Sequence, residues 1–289
     1  MGGEPRLFYE NDRQMKTNVN YPRTLLVLVA LISLFSCATV PISGRKQMNL
    51  LPDATMAQMG FTNYDAFMKE NRLSADKVSS RMVEDAGKKI SAAVNEFLSL
   101  NGMEDNLKYF EWEFRLVADP TPNAWCMPGG KVVFYEGILP FTRDVNGVAV
   151  VMGHEIAHAV ARHGNERMSQ QMVTQLGGLA LAKTIEEKPE ETRQIFLLVY
   201  GVGSQVGVLL PYSRVHEKEA DRLGLIFMAM AGYDPRNAVE FWDRMSAANK
   251  GPRPPEWLST HPLDETRMSD MKAVMPEALR YYEAAILKK

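Results

Sequence analysis

The sequence predicts an α+β domain that is mainly helical and has one small antiparallel sheet. Apolar residues recur at intervals of three and four over residues 74–100, which indicates a long amphipathic helix. Residues 110–117 alternate between apolar and polar side chains, and residues 131–135 form a second short apolar stretch, so both are expected to be strands. The other apolar stretches are longer and rich in Ala, Leu and Met, which favours helices.

Composition points to a globular protein with a large core. The 289 residues are 46% hydrophobic and 24% charged, with a net charge of −2. No basic run is present, so no nucleic-acid partner is expected. Cys37 and Cys126 are the only cysteines, too few for a disulfide framework. Cys126 is expected to be a small apolar filler and not a nucleophile.

The N-terminal segment has the pattern of an export signal. Residues 25–35 are apolar apart from Ser33, follow Lys16 and Arg23, and are too few to span a bilayer comfortably. They end in Leu-Phe-Ser-Cys37, which resembles the lipobox of bacterial lipoproteins, whose cysteine is lipidated. A plain signal or a single N-terminal membrane anchor are the alternatives. We expect a periplasmic lipoprotein of the cell envelope, held to the membrane through Cys37.

Three regions are therefore expected along the chain. Residues 1–37 form the signal or lipoprotein leader, residues 38–72 a linker and an N-terminal helical segment, and residues 73–289 the main domain. Within that domain, prolines and glycines place residues 123–130 at a sheet edge, where an extended peptide could pair. A plain hairpin is the alternative. The further predicted helices span residues 144–164, 165–183, 195–210, 215–231, 235–249 and 263–274, with a last short helix after Pro276.

The helix at residues 144–164 carries the chemistry. It contains His154-Glu155-x-x-His158, and two histidines four apart lie on one face of a helix, where both can bind one zinc ion. Glu155 falls beside that face and can contact a zinc-activated water without binding the metal. The surrounding residues are apolar, and burying unpaired charged groups costs several kcal/mol, which a metal ion would offset. One zinc ion per chain is expected.

Zinc needs a third protein ligand, and the residues leave more than one candidate. His163 follows His158 by five positions, so on a continuous helix it points away from the pair. Glu217 and Asp221 lie four apart and share a helix face, whereas Glu219 points elsewhere. One of these two carboxylates can bind the metal while the other accepts the free N–H of a ligand histidine. A solvated helix face is the alternative.

Several separate motifs follow one another along the chain. They are Asn123-Ala124, Pro128-Gly129-Gly130, Gly153-His154-Glu155-Ile156-Ala157-His158, Ser213-Arg214, Glu217-x-x-x-Asp221, Ala231-Gly232-Tyr233-Asp234-Pro235 and Thr260-His261-Pro262. In this order they resemble metallopeptidase family M48, a family of zinc proteases, over roughly residues 123–267, and within it they are most like the periplasmic lipoprotein and mitochondrial quality-control members.

The resemblance implies a zincin-like metalloprotease domain whose edge strand borders the active site. It implies that Glu217 is the third ligand and that Asp221 supports the ligand set. It implies that His261 lies near the zinc, where it stabilises the oxyanion or binds as a fourth ligand that keeps the enzyme latent, and Arg267 could orient it. It also implies that the substrate groove is bordered by Asn123, Ala124 and Trp125.

The expected function is that of a zinc endopeptidase with polypeptide substrates. Zinc activates a water, Glu155 takes its proton and returns it to the leaving amine, and zinc with His261 stabilises the oxyanion. The resemblance further implies misfolded or misassembled envelope proteins as substrates. The alternative is an assembly factor that holds client proteins in the cleft, with proteolysis latent or secondary.

Overall fold

The computed structural model describes residues 37–41, 43–250, 255–262 and 265–288. The chain divides into two compact units, Met1–Cys37 and Ala38–Lys289, and nearly all elements named below belong to the second. The expected leader lies outside the described residues, apart from the backbone of Cys37, so the leader, the lipidation and the three predicted regions stay predictions. Among the helices that the structure describes, none has both the length and the apolar character of a membrane span.

The fold class predicted from the sequence is confirmed, but the sheet is mixed. Strands β1 (Cys37–Thr39) and β2 (Lys46–Met48) form a two-stranded sheet, while β3 (Glu113–Val117), β4 (Ala124–Met127) and β5 (Lys131–Tyr135) form a three-stranded sheet in the order β3-β5-β4. The β4–β5 hairpin is antiparallel, as expected, whereas β3 pairs with β5 in parallel. After β3 the chain forms β4 at the far edge of the sheet, and β5 then fills the central position between them. Because β5 is antiparallel to β4, it runs in the same direction as β3.

Helices make up most of the described chain. They are α1 (Asp53–Glu70), α2 (Lys77–Leu100), the short α3 (Leu139–Thr142), α4 (Val145–Val160), α5 (His163–Thr184), α6 (Glu190–Ser204), α7 (Leu210–Met230), α8 (Asn237–Asn249), the short α9 (Trp257–Thr260) and α10 (Glu265–Leu287). A π-helical segment, Gln205–Leu209, joins α6 to α7.

Helix α4 lies in the centre of the core and is buried over nearly its whole length. It packs against α7, α2 and α8, and α10 covers another side of α7. Two glycines bring α4 and α7 into backbone contact, because a Cβ atom added at Gly153 would lie only 2.7 Å from the carbonyl oxygen of Gly224. This close approach brings the polar residues of the two helices together.

The ends of α4 have clear local causes. The helix starts next to residue 144, as predicted, because the side chain of Asp144 caps it by accepting hydrogen bonds from the backbone N–H groups of Asn146 and Gly147. The helix ends at Val160, short of the predicted Gly164, since Arg162 adopts the left-handed conformation with φ of 58°. Arg162 is held there by an ion pair of 2.6 Å with Asp53 of α1. Helix α5 then begins at His163.

Two helical predictions are wrong in ways that packing explains. Residues 263–274 and the segment after Pro276 are one helix, α10, because Met271 and Ala278 on either side of the proline are both buried and hold it together. Residues 195–210, expected to form a packed helix, begin in α6 but stay largely exposed. Its apolar residues Ile195, Phe196, Leu198 and Val199 are 61, 52, 67 and 65% exposed.

Candidate active site

Three of the predicted ligands converge where α4 meets α7. The Nε2 atoms of His154 and His158 lie 3.1 Å apart. From α7, Glu217 places one carboxylate oxygen 3.4 Å from Nε2 of His154 and the other 3.3 Å from Nε2 of His158. His154 and Glu217 are buried, and His158 is mostly buried.

His261 completes the group from the segment after α9. Its Nδ1 atom lies 3.2 Å from Nε2 of His154 and 3.2 Å from each carboxylate oxygen of Glu217. One atom from each of these four residues lies within 4.8 Å of the other three. The structure therefore brings His154, His158, Glu217 and His261 to a single point.

These distances fit a tetrahedral zinc site. Four ligands at bond lengths of about 2.0–2.1 Å form a tetrahedron with edges of about 3.3 Å. The separations of His154 from the other three donors, and of Glu217 from His158 and His261, run from 3.1 to 3.4 Å, with His154 and His158 facing different oxygens of Glu217. Three imidazole nitrogens and a carboxylate that face one another need a shared cation, because their lone pairs would otherwise repel. The residues present therefore fit one zinc ion, as the sequence predicts.

The electrostatics of the group favour a positive charge at its centre. Burial opposes charge on His154, but the carboxylates of Asp221 and Glu217 raise its pKa to about 9. Burial lowers the pKa of His158 well below its ordinary value. Burial also opposes the charge of Glu217, yet the neighbouring histidines hold its pKa well below the ordinary value. A cation at the centre would replace the proton of His154, since histidine binds metals in its neutral form.

Asp221 and Arg267 support these ligands from behind. An oxygen of Asp221 lies 3.0 Å from Nδ1 of His154, within ion-pair distance, but this nitrogen makes no hydrogen bond of normal geometry with any residue that the structure describes. Arg267 is 1% exposed and donates two hydrogen bonds of 2.8 Å to Asp221. It also lies 3.0 Å from Glu217 and donates to the carbonyl of Pro262, next to His261. Arg267 therefore contacts the segment of His261, in line with the orienting role expected of it.

Glu155 lies beside the centre and is held by a residue that sequence reasoning missed. Nε1 of Trp257 donates a hydrogen bond of 2.7 Å to Oε1 of Glu155. Nε2 of His261 lies 3.4 Å from the same oxygen. Trp257 is fully buried and stacks on Trp242 with ring centroids 5.1 Å apart. The only sequence feature that links Trp257 to the site is its position four residues before His261. A tryptophan after a proline-rich loop is more commonly a packing residue.

His163 also lies closer than its spacing predicts. Helical spacing directs it away from the ligand pair, but α4 has already ended, and Nδ1 of His163 lies 3.0 Å from Nδ1 of His158. Its Nε2 lies 3.1 Å from Glu219, the residue that points away from Glu217 on α7. The left-handed turn at Arg162 causes the difference.

A cavity of about 520 Å³ opens beside the centre, and Glu155, His158 and His261 line it together with residues 123–129. Asn123 accepts a hydrogen bond of 2.9 Å from the N–H of Ala124. Asn123 precedes β4, and Ala124 and Trp125 are its first two residues; β4 is one of the two edge strands of the three-stranded sheet.

The side chains of β4 differ in what they contact. The indole of Trp125 packs edge-on against Phe67 and donates to the hydroxyl of Tyr135. Trp125 therefore ties the edge strand to α1. Burial, with a contribution from Glu155, raises the pKa of the Cys126 thiol well above its ordinary value, so this thiol is no nucleophile.

Comparison with known proteins agrees with this geometry. The sequence model that defines peptidase family M48 matches residues 94–275 of this chain. Mitochondrial metalloendopeptidase OMA1 of Schizosaccharomyces pombe is 33% identical over 242 residues, which cover 83% of this chain and 66% of that protein. Metalloendopeptidase OMA1 of Bos taurus is 30% identical over 287 residues, 96% of this chain and 53% of that protein. Beta-barrel assembly-enhancing protease of Escherichia coli is 26% identical over 246 residues, 82% and 47% of the two chains. The chain thus spans about half to two thirds of the length of these relatives.

Proposed function

The chain belongs to peptidase family M48, and we propose that it is a zinc-dependent endopeptidase that hydrolyses peptide bonds within polypeptides. The observation that carries the proposal is the convergence of His154, His158, Glu217 and His261 on one point, next to a cavity that Glu155 lines. A structural zinc site has no need of a carboxylate acid–base group beside an open cavity.

The roles of the residues follow from their positions. Zinc, when bound, acts as a Lewis acid that activates water and polarises the scissile carbonyl. His154, His158 and Glu217 hold it. Glu155 takes the proton of the attacking water and passes it to the leaving amine, and the N–H of Trp257 fixes the orientation of that carboxylate.

The substrate lies along β4 as an added strand. Because β4 is at the sheet edge and residues 123–129 line the cavity, an extended peptide can pair with its backbone and pass the metal centre. Pairing through backbone groups gives affinity with little dependence on side chains. That suits an enzyme acting on exposed segments of many unfolded chains.

His261 acts as a fourth ligand in the resting enzyme. Its Nδ1 atom faces the other three donors, at 3.2 Å from both His154 and Glu217. This supports the latent state over an oxyanion role for the conformation described here. With zinc bound, His261 would be the ligand that gives way to a peptide, and its imidazole could then donate to the oxyanion.

The test is zinc content and casein cleavage for the wild type, Glu155→Gln and His261→Ala. Glu155→Gln should keep one zinc per chain and lose about 10²–10⁴-fold in cleavage rate, the usual contribution of a general base. Full activity in that variant rules out the mechanism. His261→Ala should cleave faster than the wild type if the fourth ligand holds the enzyme latent. An inactive, zinc-loaded His261→Ala protein would instead assign the histidine to transition-state stabilisation.

The occupied fourth position also favours a second candidate, an assembly factor that holds client proteins while proteolysis stays latent. Expression of Glu155→Gln in cells that lack this protein separates the two. Rescue of an envelope-assembly defect by that variant supports the holding function, and failure of rescue supports proteolysis.

We further propose that the protein is a lipoprotein of the cell envelope that acts on misfolded or misassembled envelope proteins. The pattern of residues 25–37 supports this location, and the Escherichia coli relative is named for β-barrel assembly. The relatives called OMA1 are named as mitochondrial. Labelling of the full chain with a radioactive fatty acid should mark the wild type and leave Cys37→Ala unlabelled. A labelled Cys37→Ala protein would refute the anchor.

A further inference from the structure

The two ligand histidines of α4 are supported by different arrangements. Nδ1 of His154 lies against the carboxylate of Asp221, whereas Nδ1 of His158 lies against a second histidine, His163. We propose that His163, Glu219 and Arg45 form a positioning arm that fixes the tautomer and orientation of His158 at the zinc site. This inference rests on the proposed zinc enzyme.

The direction of the hydrogen bonds follows from their acceptor. A carboxylate can only accept, so the 3.1 Å contact between Nε2 of His163 and Glu219 puts the proton of His163 on Nε2. Nδ1 of a neutral His163 is then an acceptor, and the N–H that it accepts at 3.0 Å is Nδ1–H of His158. His158 is thereby left with its lone pair on Nε2, the atom that faces the other ligands.

Besides its contact with His163, Glu219 accepts three hydrogen bonds from two other residues. Arg45 donates to both of its oxygens, at 3.0 and 2.9 Å, and the hydroxyl of Ser43 donates at 2.6 Å. Arg45 also makes two hydrogen bonds of 2.8 and 2.7 Å to the buried Glu166. The acceptor at the end of the arm therefore has one position, and a fixed acceptor orients the imidazole that donates to it.

The arm repeats the logic of the support for His154. On that side the carboxylate of Asp221 is held by Arg267 through two hydrogen bonds of 2.8 Å. On the other side the carboxylate of Glu219 is held by Arg45, and His163 covers the additional distance to His158. Both carboxylates belong to α7, where Glu219 follows the ligand Glu217 by two positions and Asp221 follows it by four.

A buried ion cluster without any role at the metal is the competing explanation, and Glu166 provides the matched control. Like Glu219, it is buried, accepts from Arg45 and contacts a histidine, here Nε2 of His216 at 2.8 Å. Unlike Glu219, it does not contact His163, and its hydrogen bonds lead to His158 only by the longer route through Arg45, Glu219 and His163.

The experiment compares His163→Phe, His163→Asn and Glu166→Gln with the wild type. Zinc dissociation constants come from competition with a chromogenic chelator, and the visible absorption spectrum of the cobalt-substituted protein reports ligand geometry. His163→Phe keeps an aromatic ring but removes the acceptor, so zinc affinity should fall about 10–100-fold and the cobalt bands should shift. His163→Asn offers a side-chain oxygen as acceptor and should recover part of the affinity. Glu166→Gln should lower the unfolding temperature but change zinc affinity and the cobalt bands much less than His163→Phe does, because Glu166 reaches the arm only through Arg45.

Wild-type zinc affinity and cobalt bands in His163→Phe would overturn the arm, as would an equal loss of zinc affinity in Glu166→Gln. If His163→Phe does not fold, His163→Asn decides. Its zinc affinity is then compared with that of wild-type protein unfolded to the same extent. An affinity no better than that of this reference contradicts the proposal. Failure of the proposed function gives a different result. In that case the wild type binds no stoichiometric zinc, or Glu155→Gln still cleaves casein.

Discussion

Replacing Gly153 by alanine should weaken metal binding and the fold together. The added Cβ atom would lie 2.7 Å from the carbonyl oxygen of Gly224 and 3.3 Å from its carbonyl carbon and Cα atom. Ordinary van der Waals contact begins at 3.4 Å, so the backbone of α7 must retreat from α4 by about 0.7 Å. No flexible side chain is available to move instead, because the opposing atoms belong to backbone.

The displacement acts directly on the ligands. Gly153 precedes His154, and Gly224 lies two turns beyond Glu217 on α7. Zinc sites tolerate deviations of about 0.2 Å in ligand distance, less than the retreat that the methyl group demands. We expect zinc affinity to fall at least 10-fold, in the range found when ligand positioning is disturbed, and the free energy of unfolding to fall by about 1–3 kcal/mol from overpacking.

The assay is chelator competition for zinc, with thermal unfolding followed by circular dichroism. Gly201→Ala is the matched control, since Gly201 is also helical but has no atom within 4 Å of its added Cβ. That control should keep zinc affinity and gain up to about 1 kcal/mol in stability. A Gly153→Ala protein with the zinc affinity and melting temperature of the wild type would show that the contact between α4 and α7 does not set the metal geometry.

Three further outcomes are expected. Trp257→Phe keeps an aromatic ring but removes the N–H that donates a hydrogen bond to Glu155. Casein cleavage should therefore fall about 10-fold or more with zinc content unchanged. Cleavage at the wild-type rate would contradict a role of Trp257 in orienting the base. Burial opposes the charge of Glu166, but hydrogen bonds from Arg45 and His216 lower its pKa from 4.5 to about 2. Its contribution to stability is therefore fully present above pH 4.5 and is lost as the pH falls toward 2, so acid unfolding measured with chelator present should be less steep in Glu166→Gln than in the wild type. Asp144→Ala removes the two hydrogen bonds that cap α4 and should cost about 1 kcal/mol in chemical denaturation, whereas an unchanged midpoint would mean that the buried face alone fixes the helix start.

The central parts of the site could be predicted because they depend on helical periodicity. Spacing of four residues puts His154 and His158 on one face, and the same spacing pairs Glu217 with Asp221, so their convergence needed only that the two helices meet. The supporting residues depend on where helices stop. Arginine rarely adopts the left-handed conformation that Arg162 has here, so the reversal that brings His163 back to His158 has no signal in the sequence.

The remaining differences come from tertiary packing. Pro276 predicts a break, but buried residues on both sides keep α10 continuous. Alternation predicted the strand at residues 110–117, yet it carries no information on which neighbour that strand pairs with, and β3 lies parallel to β5. Trp257 carries no functional signal in the sequence, because the direction of its N–H toward Glu155 depends on its stacking with Trp242.

The ligands also divide the chain in a way that bears on its unfolding. His158 and Glu217 are 59 positions apart, and between them the chain forms α5 and the exposed α6. A bound ion therefore joins distant parts of the folded chain, and because this ligand set is not assembled in the unfolded chain, the free energy of zinc binding adds to that of folding. Thermal stability should thus rise with free zinc concentration, which makes the folded population of this protein a reporter of zinc supply in its compartment.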